Sequence, residues 1–429
     1  MKQLKEGITG LPVDYAQLAL SRAGFSVGAI DGVFGPVTRK ATVAFQKSEK
    51  ITADGIIGPK TWERLFPYLT GYRLYRVASG DTYWGIAHRF GSNIEALRTA
   101  NPGVSEDSLV IGSILTVPLP FPAATWEVPY SALLCGLVLD GLRARYPKLK
   151  IETFGTSVLG RDLMAASIGE GDVSVGINAA HHANEWITTP LVLRMLESCL
   201  YADAYGTTLG GFDVRALLSR ARLVLVPLVN PDGVDLVTGC FAANDPAFQR
   251  AMGFAGDYPR IPFPSGWKAN INGVDLNLGY PAGWEQARSI KFAQGFTRPG
   301  PRDYVGTAPL AEPENRAMAS LTQREAFSLT VAYHTQGAEI YWRYNGYAPQ
   351  GAEEIVSTFA AVSGYAPADP AEFSSYAGYK DWFIDAFDRP GFTVEAGRGE
   401  NPLPLSDLPQ LYRENIGIFV NSLAIASNA

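Results

Sequence analysis

Four short apolar runs, each stopping abruptly at polar residues, mark the C-terminal two-thirds of the chain. Val173–Ala180 runs into His181 and His182, Arg222–Val229 into Asn230-Pro-Asp-Gly233, Ser328–Tyr333 into His334, and Gly391–Val394 into Glu395. Runs of this length, rich in β-branched residues, read as strands covered on both faces. Helical stretches separate them, over Thr188–Tyr201, Glu312–Ala326, Gly351–Ser363 and Leu408–Ala426. The alternation predicts one large α/β domain with a mixed sheet over residues 120–429. In an open α/β sheet, sites form beyond the carboxyl ends of strands. The polar residues closing these runs can therefore converge although they lie far apart in sequence.

The N-terminal pattern is different. Asp31-Gly-Val-Phe-Gly-Pro-Val-Thr38 recurs as Asp54-Gly-Ile-Ile-Gly-Pro-Lys-Thr61. Asp-Gly marks a tight turn, and Gly-Pro places proline where a helix can begin. Each copy leads into helically spaced apolar residues, Ala41, Ala44 and Phe45 after the first and Trp62, Leu65 and Phe66 after the second. With an earlier helix over Val13–Ala23, this predicts a small all-α domain at residues 5–70. Residues 73–119 read as a β-α-α-β module. Tyr75–Ala87 has a strand-turn-helix pattern, Ser92 and Glu95 stand at capping-box spacing before a second helix, and Leu109–Pro118 holds the closing strand. Pro118-Leu-Pro-Phe-Pro122 is a stiff linker.

Composition narrows the function classes. A hydrophobic content of 47% and a charged content of 18% describe a well-cored globular chain, and a net charge of −6 argues against nucleic acid as a partner. Cys135, Cys199 and Cys240 are too few for a disulfide framework. No apolar stretch is long enough to span a membrane. The opening Met-Lys-Gln-Leu-Lys-Glu-Gly lacks a signal-peptide core.

The chemistry concentrates in His182-Ala-Asn-Glu185. A tight turn after the strand can aim both side chains at one point, and imidazole nitrogen with carboxylate oxygen suits Zn²⁺. The chain has four histidines, His88, His181, His182 and His334, so a three-ligand site has few ways to be completed and His334 is the obvious third. His88 reads as a residue on a helix surface. Glu395 has no ligand spacing with its neighbours, but half-buried beside a metal it would suit a general base.

Three resemblances follow from these motifs. The paired Asp-Gly-x-x-Gly-Pro-x-Thr sequence with Phe45-Gln46 resembles the peptidoglycan-binding domain of bacterial wall hydrolases. Asp31, Gly32, Asp54 and Gly55 themselves read as turn builders. The second module resembles LysM, a glycan-binding domain. In the large domain, Thr156–Leu163, His182–Trp186, Asn230–Gly233, Gly273–Asn277, Tyr333-His334 and Thr393–Glu395 resemble, in order, the motifs of the zinc carboxypeptidase A/B family. That resemblance implies one zinc held by His182, Glu185 and His334, with Glu395 as general acid/base. It implies Asp275 as a carboxylate behind His182, Asn277 as a substrate contact, and Lys268 where the family has an arginine that polarises the scissile carbonyl.

Departures from the family direct the functional expectation. Leu278 stands where carboxypeptidases have the arginine that grips a substrate C-terminus. An ungapped match puts Phe373 where a catalytic tyrosine belongs, leaving Tyr376 and Tyr379 as candidates. Lys380 occupies the floor position of the leaving-side pocket and would select a side chain ending in a carboxylate, with Arg398 as a rival cation. Together with two wall-binding modules, this resembles γ-D-glutamyl-meso-diaminopimelate endopeptidases, whose partners are peptidoglycan glycan chains and stem peptides. A broader carboxypeptidase and a non-catalytic wall-binding protein are the alternatives. Such a function implies association with the cell wall or spore.

Overall fold

The computed structural model describes residues 2–371 and 374–428. They form two compact units. One contains the residues up to Pro129 together with Gly136–Lys150, and the other contains Tyr130–Cys135 and the residues from Ile151 on. Among the described residues, no helix is long and apolar enough to cross a membrane.

In the first unit the sequence repeat becomes a structural repeat. Helices α1 (Leu11–Arg22), α2 (Pro36–Ser48) and α3 (Pro59–Thr70) follow one another, the last two starting on the proline of each Gly-Pro pair. Buried Gln17 donates to Asp31 Oδ1 (2.8 Å) and Thr38 Oγ1 (3.2 Å), and its Oε1 accepts from Gly32 N (3.0 Å). Gln46 repeats this on Asp54 Oδ1 (2.9 Å), Thr61 Oγ1 (3.1 Å) and Gly55 N (2.9 Å). Gly32 and Gly55 hold φ of +66° and +75°, conformations that a side chain disfavours. The motif thus ties each turn to the helix preceding it, as expected of turn-building residues. The significance of Gln46 after Phe45 is explained by the same network.

The β-α-α-β module follows. Strands β1 (Tyr72–Arg76) and β2 (Ile114–Pro118) pair antiparallel, with Tyr72 opposite Pro118 and Arg76 opposite Ile114. Between them lie α4 (Tyr83–Arg89) and α5 (Ile94–Ala100). One boundary differs from expectation. The cap of α5 is Asn93, whose side chain accepts from Ala96 N at 2.8 Å, and not Ser92. The helix starts at Ile94, which makes Asn93 the capping residue, and Glu95 turns outward to Arg98 at 2.7 Å. His88 lies on the helix surface, stacked on exposed Trp84 with ring centroids 5.2 Å apart.

The second unit is built on the eight-stranded sheet. Its strands are β3 (Lys150–Thr156), β4 (Asp162–Ile168), β5 (Val173–Ala179), β8 (Ala221–Val226), β9 (Leu329–His334), β10 (Glu339–Tyr341), β11 (Ala366–Ala368) and β12 (Gly391–Glu395). A two-stranded hairpin, β6 (Thr208–Leu209) with β7 (Phe212–Asp213), stands apart from it. The spatial order is β11-β10-β12-β9-β5-β8-β4-β3. The central β8, β5, β9 and β12 are mutually parallel, while β4 runs antiparallel to β8 and β10 antiparallel to β12, with β11 parallel to β10. The sheet is therefore mixed.

Every residue of β9 is buried, and six of seven in β5, which is why these strands read as unbroken apolar runs. Helices Thr188–Tyr205 and Leu408–Ala426 pack on β5, and Tyr379–Phe387 packs on β9 and β12. Val224, Val226 and Ala332 enter a core with Met318, Leu321 and Phe383. Because the parallel strands share one direction, His182, His334 and Glu395 all emerge at the same edge. In the β9–β12 ladder, Glu395 lies directly opposite His334.

Candidate metal centre

Ala180 sets the entry to the site. It follows β5 with φ of +54°, a left-handed conformation unusual for a residue with a side chain, and donates its N–H to Thr188 Oγ1 at 3.0 Å. The chain turns sharply there and swings His181 and His182 away from the strand direction. A single 3₁₀ turn, Ala183–Glu185, then returns Glu185 beneath His182. Asn230 braces this corner, donating to the carbonyl oxygens of His181 (3.1 Å) and Ala269 (3.0 Å). Asp232 of the same motif accepts from Arg161 Nε at 2.9 Å and Leu159 N at 2.8 Å, which ties the Gly160-Arg161 loop to it.

His182, Glu185 and His334 form a group that could hold a metal ion. Both imidazoles present Nδ1 inward. His182 Nδ1 is 2.9 Å from Glu185 Oε1, His334 Nδ1 is 2.9 Å from Glu185 Oε2, and the two Nδ1 atoms are 3.2 Å apart. Four acceptor-capable atoms face one another in a buried space, and a shared cation satisfies all of them. Two nitrogens and a carboxylate are a donor set that zinc accepts, leaving a position for water or substrate. On its outer side, His182 Nε2 meets Asp275 Oδ1 at 3.1 Å. Asp275 is itself held by the N–H groups of Asn277 and Asp303, each at 3.2 Å. Burial raises the carboxyl of Asp275, but the His182 ring, Lys268 and the Asp303 N–H together outweigh it and hold the group well below the usual range. A carboxylate behind a ligating imidazole fixes its tautomer and increases its basicity. The residues present fit zinc.

Two cavities meet beside this group. One, of about 300 Å³, is bordered by His182, Asn277, Leu278, Lys380, Asp381 and Glu395 among others. The other, of about 550 Å³, is bordered by Asn184, Arg260, Thr335 and Asn401 among others. Lys268, Arg302, Tyr341 and Glu395 border both. Lys268 Nζ lies 2.8 Å from Glu185 Oε1, so its charge stands at the junction. Burial and then the charge of Glu185 push the Glu395 carboxyl up to about 8, against the opposing pull of Lys268 and His182. Cationic charge beside it counters that rise. The arrangement can polarise an amide lying across the junction and move a proton on Glu395.

The other expected residues divide. Asn277 borders the first cavity, with its Oδ1 fixed by Tyr379 N at 3.0 Å. Leu278 borders the same cavity and packs with Trp284 and Val305. Lys380 is buried there, 2.5 Å from Asp381 Oδ1, and also donates to the Arg343 carbonyl. Tyr379 is a correction to the sequence reading. Its helix begins at that residue and turns the ring inward against His181, Tyr280 and Trp382, with the hydroxyl 2.8 Å from Thr322 Oγ1. Tyr376 is half-buried against Tyr344 and borders neither cavity. Arg398 is exposed and also borders neither. Phe373 lies outside the described residues.

Sequence reasoning missed Tyr341 and Arg302. Tyr341 lies on β10 beside β12, paired with Thr393, and its hydroxyl donates to Glu339 Oε2 at 3.1 Å. Period-two alternation from Glu339 was the available signal. Arg302 reaches the junction from a loop, with Nε 2.7 Å from Asp303 Oδ2, and carried no spacing signal.

A family model described as zinc carboxypeptidase matches residues 137–416. The chain belongs to the zinc carboxypeptidase family. Models of a peptidoglycan-binding domain and of a LysM domain match residues 9–65 and 75–118. The gamma-D-glutamyl-L-diamino acid endopeptidase 1 of Lysinibacillus sphaericus is 44% identical over 282 residues, covering 66% of this chain and 69% of that protein. Among solved structures, thrombin-activatable fibrinolysis inhibitor aligns with a TM-score of 0.55 at 17% identity, over 76% of this chain and 92% of that one. Carboxypeptidase A from Helicoverpa armigera aligns with a TM-score of 0.54 at 15% identity, over 99% and 96%. These two likenesses are of fold. This zinc carboxypeptidase-like chain is a metallopeptidase, and zinc is its cofactor.

Proposed function

We propose that the protein hydrolyses the γ-D-glutamyl-diaminopimelate amide of peptidoglycan stem peptides, with zinc held by His182, Glu185 and His334. The observation that carries this reading is the wall of the leaving-side cavity. Leu278 offers no charge to a substrate C-terminus, while Lys380 and Asp381 place a buried cation beside a buried anion. The side chain of diaminopimelate ends in a carbon bearing both an ammonium and a carboxylate, and such a pair complements both. Lysine, its counterpart in other walls, ends in an ammonium alone. The name of the Lysinibacillus relative agrees with this reading.

In the proposed reaction, Asn277 and the Lys380–Asp381 pair hold the leaving side, and Lys268 faces the scissile carbonyl. Bound zinc supplies Lewis acidity, which polarises a carbonyl and acidifies water. Glu395 accepts the proton of the attacking water and delivers it to the departing amine. Asp275 keeps the His182 ring in the tautomer that leaves Nδ1 free to bind metal. Asp275→Asn retains the shape and removes the charge. It should weaken zinc by about 10-fold, near the low end of the range for outer partners. Chelator competition measures this, and affinity within two-fold of the parent's would remove Asp275 from the role.

The substrate assignment is tested with matched stem peptides carrying diaminopimelate or lysine. Mass spectrometry locates the cut, and kcat/KM measures the preference. Lys380→Gln is the informative variant, because deleting the side chain would leave Asp381 buried and unpaired. A charge-assisted hydrogen bond is at stake, so the parent should favour diaminopimelate by roughly 10–100-fold and the variant should lose most of that preference. An unchanged ratio would clear Lys380 of the role, and cleavage at another bond would overturn the substrate assignment.

A further inference from the structure

The second cavity adjoins the first at the junction without being bordered by Leu278 or Lys380, and its charges are unevenly matched. Lys268 is engaged by Glu185 at 2.8 Å and Arg302 by Asp303 at 2.7 Å. Arg260 borders this cavity and is exposed to solvent, and no carboxylate pairs with it among the described residues. Asn184 borders the same cavity. It is 4% exposed, and its Oδ1 is buried without a hydrogen-bond partner among the described residues. A buried acceptor left unsatisfied costs free energy unless a ligand supplies the donor. The cavity therefore combines an available planar cation with an available buried acceptor.

The proposed substrate has that complement on its acyl side. In a γ-linked glutamyl residue the chain continues through the side chain to the scissile carbonyl. The α-carbon then lies two methylenes further from the cut than in an ordinary peptide. It carries a free carboxylate and the N–H of the preceding amide. An α-linked residue without an acidic side chain has no carboxylate at that distance from the cut, and an α-linked glutamate that has one carries its N–H on the carbon next to the cut instead.

We propose that Arg260 binds the free α-carboxylate of the γ-linked glutamyl residue and that Asn184 accepts the N–H on the same carbon. This rests on the γ-glutamyl reading above and extends it to the acyl side. Arg260 suits a carboxylate because its guanidinium can donate two parallel hydrogen bonds. The pair also predicts a sensitivity with biological reach, because converting that carboxylate to an amide removes the charge and replaces an acceptor oxygen with a donor.

The test uses the full-length zinc-loaded protein and two γ-glutamyl-diaminopimelate substrates, identical except that one carries the α-carboxylate and the other its amide. The parent should prefer the carboxylate form by about 10-fold in kcat/KM, as expected for a charge-assisted bond at an exposed cation. In Arg260→Ala the ratio of the two values should fall to within about two-fold of one, and Arg260→Lys should keep part of it, because it retains charge without the fork. A ratio that distinguishes the two substrates is a readout that a merely structural role would not change. No preference in the parent, or a preference that survives Arg260→Ala, overturns the inference while leaving the γ-glutamyl reading intact. Failure of the parent to cut either substrate overturns both.

Discussion

His334→Ala should lose zinc and turnover together. His334 closes β9 with a 1% exposed side chain, and its Nδ1 stands 2.9 Å from Glu185 Oε2. Alanine removes one of three donors and leaves no neighbouring histidine able to replace it. His181 is buried but directed elsewhere, with Nε2 3.1 Å from the Tyr280 hydroxyl. Loss of an outer partner commonly weakens a site by ~10–100-fold, and loss of a direct ligand should exceed that. Metal analysis after dialysis, together with turnover of a soluble muropeptide, measures both effects. Circular dichroism separates metal loss from unfolding, because the flanking strand should persist. Full zinc occupancy with normal turnover would require a different ligand set.

Glu395→Gln should separate the two properties. Glu395 is outside the ligand group, so zinc content should match the parent's, while kcat should fall by ~10²–10⁴-fold, the usual contribution of a positioned general acid–base group. The parent's pH profile carries the same assignment. A base must be deprotonated to accept a proton, so kcat/KM should rise as pH increases through the pKa of Glu395. Burial and Glu185 place that group at about 8 before any metal charge is counted, and a bound cation lowers it. The acidic limb should therefore fall between about 8 and the ordinary carboxylate range. A variant within a few-fold of the parent would assign the proton transfer to another group.

Much of this architecture was legible because the sheet is covered on both faces. β5 and β9 could be found as apolar runs, and the polar residues closing them mark the edge where the site lies. The helix boundaries fell close to expectation for the same reason. Residues that reach the site from irregular segments were not legible. Arg260 is brought to the second cavity and Arg302 to the junction by loops whose paths no periodicity records. Tyr379 was misread because distance along the chain from Asp381 and Trp382 does not reveal which side of a helix start faces the core. At α5, Ser92 and Asn93 are both good caps, and local geometry decided between them.

The pairing of Glu395 with His334 across adjacent parallel strands has a further consequence. The proposed proton-transfer group and a proposed metal ligand are joined by a rung of backbone hydrogen bonds, so their spacing does not depend on any flexible connection. The groups proposed to face the rest of the substrate are carried differently: Arg260 by a loop, Lys380 by the first turn of a helix. Chemistry and recognition can then diverge at separate rates. A lineage could exchange one peptide bond for another by redrawing its loops while inheriting the reaction centre unchanged.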